Sequence, residues 1–276
     1  MRVSFKTRPQ HTDWQTLRDF WREADAIDLY STGWVFDHFY PIFSDSTGPC
    51  FEGWTLLAAL TGQTSRLRLG VLVTGNTYRH PAVLANMAAT LDVISEGRVE
   101  VGLGAGWNEV EHAGYGIPLP GLKERFDRLE EACEVLHRLF GEETVTFRGR
   151  YYTLHEARCE PKPMQRPRPP LVIGGKGERR TLRIAARWAD QWNFPGGKPA
   201  ELSHKIDVLA AHCAAVGRDP AAIEVSVKAK ADCDPEQFAE LAARYRDAGA
   251  HHLIAQFSAP FDPAALGRIA SHLEVL

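Results

Sequence analysis

Short β-branched and aromatic runs alternate along this chain with longer segments whose apolar residues return every three or four positions. The first pattern suits buried strands and the second suits amphipathic helices. Eight strands are predicted, at 2–5, 32–36, 67–73, 99–103, 171–173, 191–194, 223–227 and 252–257. Most intervals match one strand–helix unit, and only the step from the fourth strand to the fifth is long. Between them, 122–140 carries Leu122, Phe126, Leu129, Cys133, Leu136 and Phe140 at spacings of three and four, which makes one apolar stripe. Thr12-Asp13-Trp14-Gln15 reads as a capping box with Thr12 as the cap. Pro81 suits the first turn of a helix over 82–94, and Gly174–Gly177 precedes a helix over 178–187. Asp219-Pro220, Asp234-Pro235 and Asp262-Pro263 mark turns or helix starts.

Eight such alternations in 276 residues point to an α/β fold, a (β/α)8 TIM barrel forming one domain over 1–276. A doubly wound open sheet is the alternative, because strand order cannot be read from alternation. The exception is 141–170. There 144–147 and 151–154 flank Arg148-Gly149-Arg150 as a β-hairpin, and five prolines from Pro161 to Pro170 favour an extended connector. Hairpin and connector together read as an insertion between strands four and five.

Composition narrows the function classes. With 32 Lys plus Arg against 35 Asp plus Glu, the formal charge is -3, which disfavours a dedicated nucleic-acid binder. The longest nearly apolar run, 54–60, is far short of the ~20 residues a membrane span needs. The first residues turn polar at once, unlike a secretory leader. Five scattered cysteines without a C-x-x-C pair suit a reducing cytoplasm.

In a barrel the chemistry sits on the loops that follow the strands. Those loops carry Asp37-His38, Thr74–His80, Gly104-Ala105-Gly106-Trp107-Asn108-Glu109 and Gly174-Gly175-Lys176-Gly177, while later strands end at Asn193, Lys228 and near Gln256. Asp37 and His38 read as an acid/base unit, with Asp37 orienting His38, or as a pair that merely caps the next loop. Gly174, Gly175, Lys176 and Gly177 read as a phosphate cradle ahead of a helix, with Arg179 and Arg180 adding charge, or as a tight turn with a basic rim. No Gly-Lys-Ser/Thr closes that loop, and Trp107 stands where the dinucleotide fingerprint needs its third glycine. Glu109, Glu111 and His112 lack ligand spacing, so no metal is expected. Lys228 would be a Schiff-base amine in an aldolase-like barrel, but reads more simply as a surface lysine.

These motifs occur in an order that resembles the luciferase-like monooxygenase superfamily, and most closely its branch that uses the deazaflavin coenzyme F420. The resemblance is carried by Trp34–His38, Leu72–Pro81, Ala89–Arg98, Gly102–Glu109, Lys162–Pro167 and Ile173–Gly177. It implies a TIM barrel with an insertion before strand five and a deazaflavin ring at the mouth. His38 would then handle a proton, with Asp37 beside it. A bulge at Leu72, Val73 and Thr74, holding a cis peptide near Leu72–Val73, would back the ring. Ala105 and Gly106 would line the cofactor by backbone, and Gly174, Gly175 and Gly177 would bind its phosphate, with Lys176 or Arg179 near its acidic tail. Trp107 and Glu109 are the substrate-side candidates. Where members acting on a sugar phosphate carry a catalytic glutamate in the loop after strand four, this chain has Trp107, so that substrate is not carried over. The implied activity is hydride transfer between F420 and a small organic substrate, and dimerisation, common in resembling proteins, makes a homodimer the implied partner state. FMN-dependent monooxygenation and non-catalytic F420 binding are the alternatives.

Overall fold

The computed structural model describes residues 1–273. Eight parallel strands close a barrel, in the order β1 (Arg2–Thr7), β10 (His252–Phe257), β9 (Glu224–Lys230), β8 (Gln191–Phe194), β7 (Leu171–Gly174), β4 (Val99–Gly104), β3 (Arg68–Gly75) and β2 (Tyr30–Val35). The helices α1 (Trp14–Ala26), α2 (Gly53–Thr61), α3 (Pro81–Ile94), α4 (Glu109–Tyr115), α5 (Leu122–Gly141), α6 (Thr181–Trp188), α7 (Pro199–Ala215), α8 (Pro235–Asp247) and α9 (Pro263–Leu273) fill the connections. Closure removes the sheet edges, and the expected barrel is therefore the observed one. None of the described helices is long and apolar enough to cross a membrane.

Two apolar layers result. The larger lies between strands and helices, where Phe5 packs edge-on against Phe20, Trp21 and Tyr30. A small plug of Trp34, Leu72, Val172 and Ile254 fills the barrel interior. Below it, buried Glu100 accepts from Arg2 and Arg68 at 2.6 and 2.7 Å, and Arg2 also reaches Glu224 at 2.9 Å. This network closes the end of the barrel opposite the strand C-termini.

The insertion is a separate antiparallel pair, β5 (Val145–Arg148) and β6 (Thr153–Ala157). Its turn is held by Glu131 of α5, whose carboxylate accepts the backbone N–H groups of Arg150, Tyr151 and Tyr152 at 2.8 to 3.1 Å. The proline-rich connector is anchored by Gln165, which donates to Asp92 and to the Val99 carbonyl.

Some local expectations need correction. The cap of α1 is Asp13, whose carboxylate accepts from Thr16 N and Oγ1 at 2.8 and 2.9 Å; Thr12 lies outside the helix. The two carboxylate oxygens take one donor each, and Asp is among the preferred N-cap residues. In α5 the stripe is buried from Leu129 onward, whereas Leu122 at its start is 56% exposed. Helix α6 begins at Thr181 and not at 178, because 175–177 run as an open loop and 178–180 form a turn.

Candidate active site

The strand C-termini open onto a cavity of about 300 Å3. One wall comes from β3, β4 and β7. The pairing of β3 with β4 slips between Val71 and Thr74, and there Leu72 and Val73, joined by a cis peptide, reach the cavity. Glycines make this possible. A Cβ on Gly104 would come within 2.7 Å of one Val73 methyl, and one on Gly174 within 2.8 Å of the other. A Cβ on Gly102 would fall on the Val71 carbonyl oxygen. Thr74 sits behind this wall, fully buried, with its hydroxyl accepting from Trp54 Nε1 at 3.0 Å, so its side chain does not face the cavity. Ala105, Gly106 and Trp107 carry the wall to the rim.

His38 enters from the loop after β2 and lines the cavity. Its Nδ1 lies 2.8 Å from Oε2 of Glu111, a fully buried residue in the first turn of α4. Asn108 caps that helix by accepting from Val110 and Glu111 N–H, which turns Glu111 inward. The Glu111 carboxylate also accepts from Tyr78 Oη at 2.5 Å and from the N–H groups of Phe39 and Tyr40 at 2.7 and 3.0 Å. Burial alone would raise its pKa; the bonds from His38, Tyr78 and Tyr40 outweigh burial and hold it below the usual carboxylate range. An ionised Glu111 is acceptor-only, so the hydrogen on Nδ1 points to it and Nε2 is left as an acceptor toward the cavity.

The expectation that Asp37 orients His38 is thereby corrected. Both Asp37 oxygens are bound by Arg79, at 2.6 and 3.0 Å, and one also accepts Gly75 N–H at 3.1 Å. Asp37 ties the β2 and β3 loops together, and Glu111 takes the orienting role. Its place in the first turn of α4, after an Asn cap, was the available signal. Glu109 is corrected too: it is exposed at the start of α4 and does not line the cavity. Trp107 does. Half-exposed, it stacks on Phe43 at 5.6 Å and meets His38 edge-on at 5.4 Å, forming a flat rim over the imidazole.

In the loop after β7, Gly174 lines the cavity, while Gly175, Lys176 and Gly177 lead away from it toward α6. Gly175, at φ +129°, donates its N–H to the Asn193 carbonyl and accepts Trp192 Nε1 at 2.7 Å. Its backbone is spent within the fold, so it is not the anion donor expected of it. Among the described residues, the N–H groups of Lys176, Gly177 and Glu178 have no partner. The Lys176 ammonium pairs with Glu201 at 2.9 Å and is not free to supply charge. Exposed Arg179 remains at the loop's outer side.

The wall opposite the glycines holds Lys6, Arg8, Lys228 and Gln256. Lys228 is thus a cavity residue and not a surface lysine. Lys6 donates to the Leu72 carbonyl across the barrel. Strand parity was the signal for it, since Ser4 and Lys6 alternate with outward-facing Val3 and Phe5.

Residues 1–273 match the family model described as luciferase-like monooxygenase. The chain belongs to this family. Among its relatives, an F420-dependent glucose-6-phosphate dehydrogenase from Kineococcus radiotolerans is 31% identical over 281 residues, covering 100% of this chain and 81% of that protein. A second enzyme of the same description, from Intrasporangium calvum, is 34% identical over 73% of this chain and 60% of its own length. Among solved structures, an F420-dependent secondary alcohol dehydrogenase in complex with an F420-acetone adduct superposes with a TM-score of 0.88. It is 20% identical, and the match covers 99% of this chain and 98% of that one, a likeness of fold.

Proposed function

We propose that this protein is an F420-dependent oxidoreductase that moves a hydride between the deazaflavin and a small organic substrate, with His38 exchanging the accompanying proton. The observation that carries this reading is the Glu111–His38 pair, which holds an imidazole nitrogen toward a cavity walled on one side by glycine and alanine. The F420-dependent relatives support the choice of cofactor.

The residues present fit such a group. Gly104 and Gly174 make room for Val73, so Leu72 and Val73 form a wall that Ala105 and Gly106 continue without a bulky side chain, as a planar ring requires. The open N–H groups of Lys176, Gly177 and Glu178, just ahead of α6, suit a phosphate, because backbone donors and a helix start both favour an anion. When bound, the deazaflavin supplies hydride exchange at its C5 carbon. The chain supplies the rest. As a substrate carbon gives up hydride, Nε2 of His38 accepts the hydroxyl proton, and Glu111 stabilises the imidazolium that results. In the reverse direction the same nitrogen returns the proton to a carbonyl oxygen. Trp107, itself stacked on Phe43, shields one side of the imidazole at the rim.

The test is a parallel titration of the protein with F420 and FMN, followed by fluorescence. F420 is expected to bind preferentially. Preference for FMN would move the protein to flavin chemistry, and binding of neither would remove the cofactor reading. Gly177→Asp places a carboxylate beside the phosphate donors, with its Cβ 3.0 Å from the Thr181 hydroxyl oxygen, which has to give by a few tenths of an ångström. It is expected to weaken F420 about 10-fold or more through repulsion while the melting temperature holds. Unchanged affinity would exclude this loop.

A further inference from the structure

We infer that the wall formed by β1, β9 and β10 is an anion subsite, in which Lys6, Arg8, Lys228 and Gln256 hold a carboxylate or phosphate of the substrate. The inference rests on the oxidoreductase reading and adds a substrate class to it: a small organic acid or phosphate ester that also carries the alcohol or carbonyl to be converted.

The strand order places these side chains together. Strand β1 pairs with β10, with Lys6 opposite Gln256, and β10 pairs with β9, with Lys228 opposite Ile254. All four residues line the same cavity. Three are basic, and among the described residues none of the three has an acidic partner at salt-bridge distance. Asp37, the carboxylate in the cavity wall, is already matched by Arg79. Asp232 acts on Arg8 from a distance, with one of its oxygens accepting Ser258 N–H at 3.2 Å. Arg8 lies over the Phe43 ring, 5.6 Å from its centroid, which steers the guanidinium toward the rim.

Gln256 gives an independent observation. It is 1% exposed, and its Nε2 has no hydrogen-bond partner among the described residues. A buried donor without an acceptor costs free energy, and a ligand oxygen would satisfy it. Lys6 spends one of its three hydrogens on the Leu72 carbonyl, which leaves two. The cluster is uncomfortable without a counter-charge. Burial, then Lys228 and Arg8, push the Lys6 pKa well down, and burial with Arg8 and Lys230 brings Lys228 to about 8. An anion would relieve both.

The placement also orients the substrate. Around the barrel, this wall and the glycine wall of β3, β4 and β7 lie apart, and the His38 loop follows β2 between β1 and β3. A substrate anchored by its anion therefore presents its other end between His38 and the glycine wall.

The experiment uses protein first saturated with F420, which occupies the phosphate loop, and then titrated separately with acetate and inorganic phosphate at fixed ionic strength, read by calorimetry. Saturable one-to-one binding of at least one anion is expected, and whichever binds tighter names the group. Arg8→Met with Lys228→Met is expected to weaken it at least ~10-fold, while the F420 Kd, measured in the first step, moves less than ~2-fold. Lys228→Arg, which keeps the charge, is expected to retain binding. Absence of saturable binding, or equal binding by wild type and double variant, overturns the subsite. Should F420 itself fail to bind in the first step, the cofactor reading falls. The anion titration on the same protein then judges the subsite alone, by the same loss in the double variant.

Discussion

Replacing His38 by alanine is expected to lower turnover by roughly 10²–10⁴-fold, the range for loss of a positioned general acid or base. The F420 Kd should stay within about 2-fold, because the imidazole lies beside the Leu72–Val73 wall and is not part of it. The measurement is kcat with F420 and any alcohol or carbonyl compound the wild type converts, alongside the cofactor titration. Added imidazole should restore part of the rate, since the alanine leaves a ring-sized gap next to an intact Glu111. Glu111→Gln supplies the comparison. It keeps the shape and an acceptor for Phe39 and Tyr40 but removes the charge that steadies an imidazolium, so it should also slow turnover, and imidazole should not rescue it. Equal rates for H38A and wild type would take His38 out of the mechanism.

The second large effect concerns folding. Gly102→Ala should destabilise the protein by ~3 kcal/mol, because its Cβ would meet the Val71 carbonyl, a backbone atom of a paired strand that cannot rotate away. In a chain of this size that corresponds to a loss of about 6–12 °C in Tm. Gly104→Ala is the informative partner. Its obstacle is a Val73 methyl at 2.7 Å, the end of a side chain, so adding Val73→Ala should recover most of the loss. The same addition should not rescue Gly102→Ala. Thermal melts of the single and double variants decide both points, and full recovery in the Gly102 pair would show that strand spacing is softer than described.

Much of this fold is legible in the chain because a parallel strand buried on both faces leaves an apolar run of its own length, and each helix leaves a period. The hairpin and the proline connector stand out for the same local reasons. Interactions that join distant segments are hidden. Asp37 next to His38 invites a pairing that the backbone refuses: Asp37 points to Arg79, forty-two residues on, while His38 reaches Glu111, seventy-three residues on. Likewise the glycines at 174 and 175 look alike as letters. One makes room for Val73 and the other closes a strand bond to Asn193, and only the three-dimensional register distinguishes them. Lys6 and Lys228 become neighbours of one cavity only when β10 is laid between their strands.

Among the described residues, the plug of Trp34, Leu72, Val172 and Ile254, with the charged network beneath it, makes the barrel a vessel closed at one end and open at the other. Traffic through such a vessel has an order built into it. Whichever ligand rests deeper must enter first and depart last, and the one nearer the Trp107 rim exchanges while the other stays. A cofactor lodged against the bulge would thus remain through the arrival of substrate and the exit of product, and must itself leave by the mouth it entered to be recharged elsewhere.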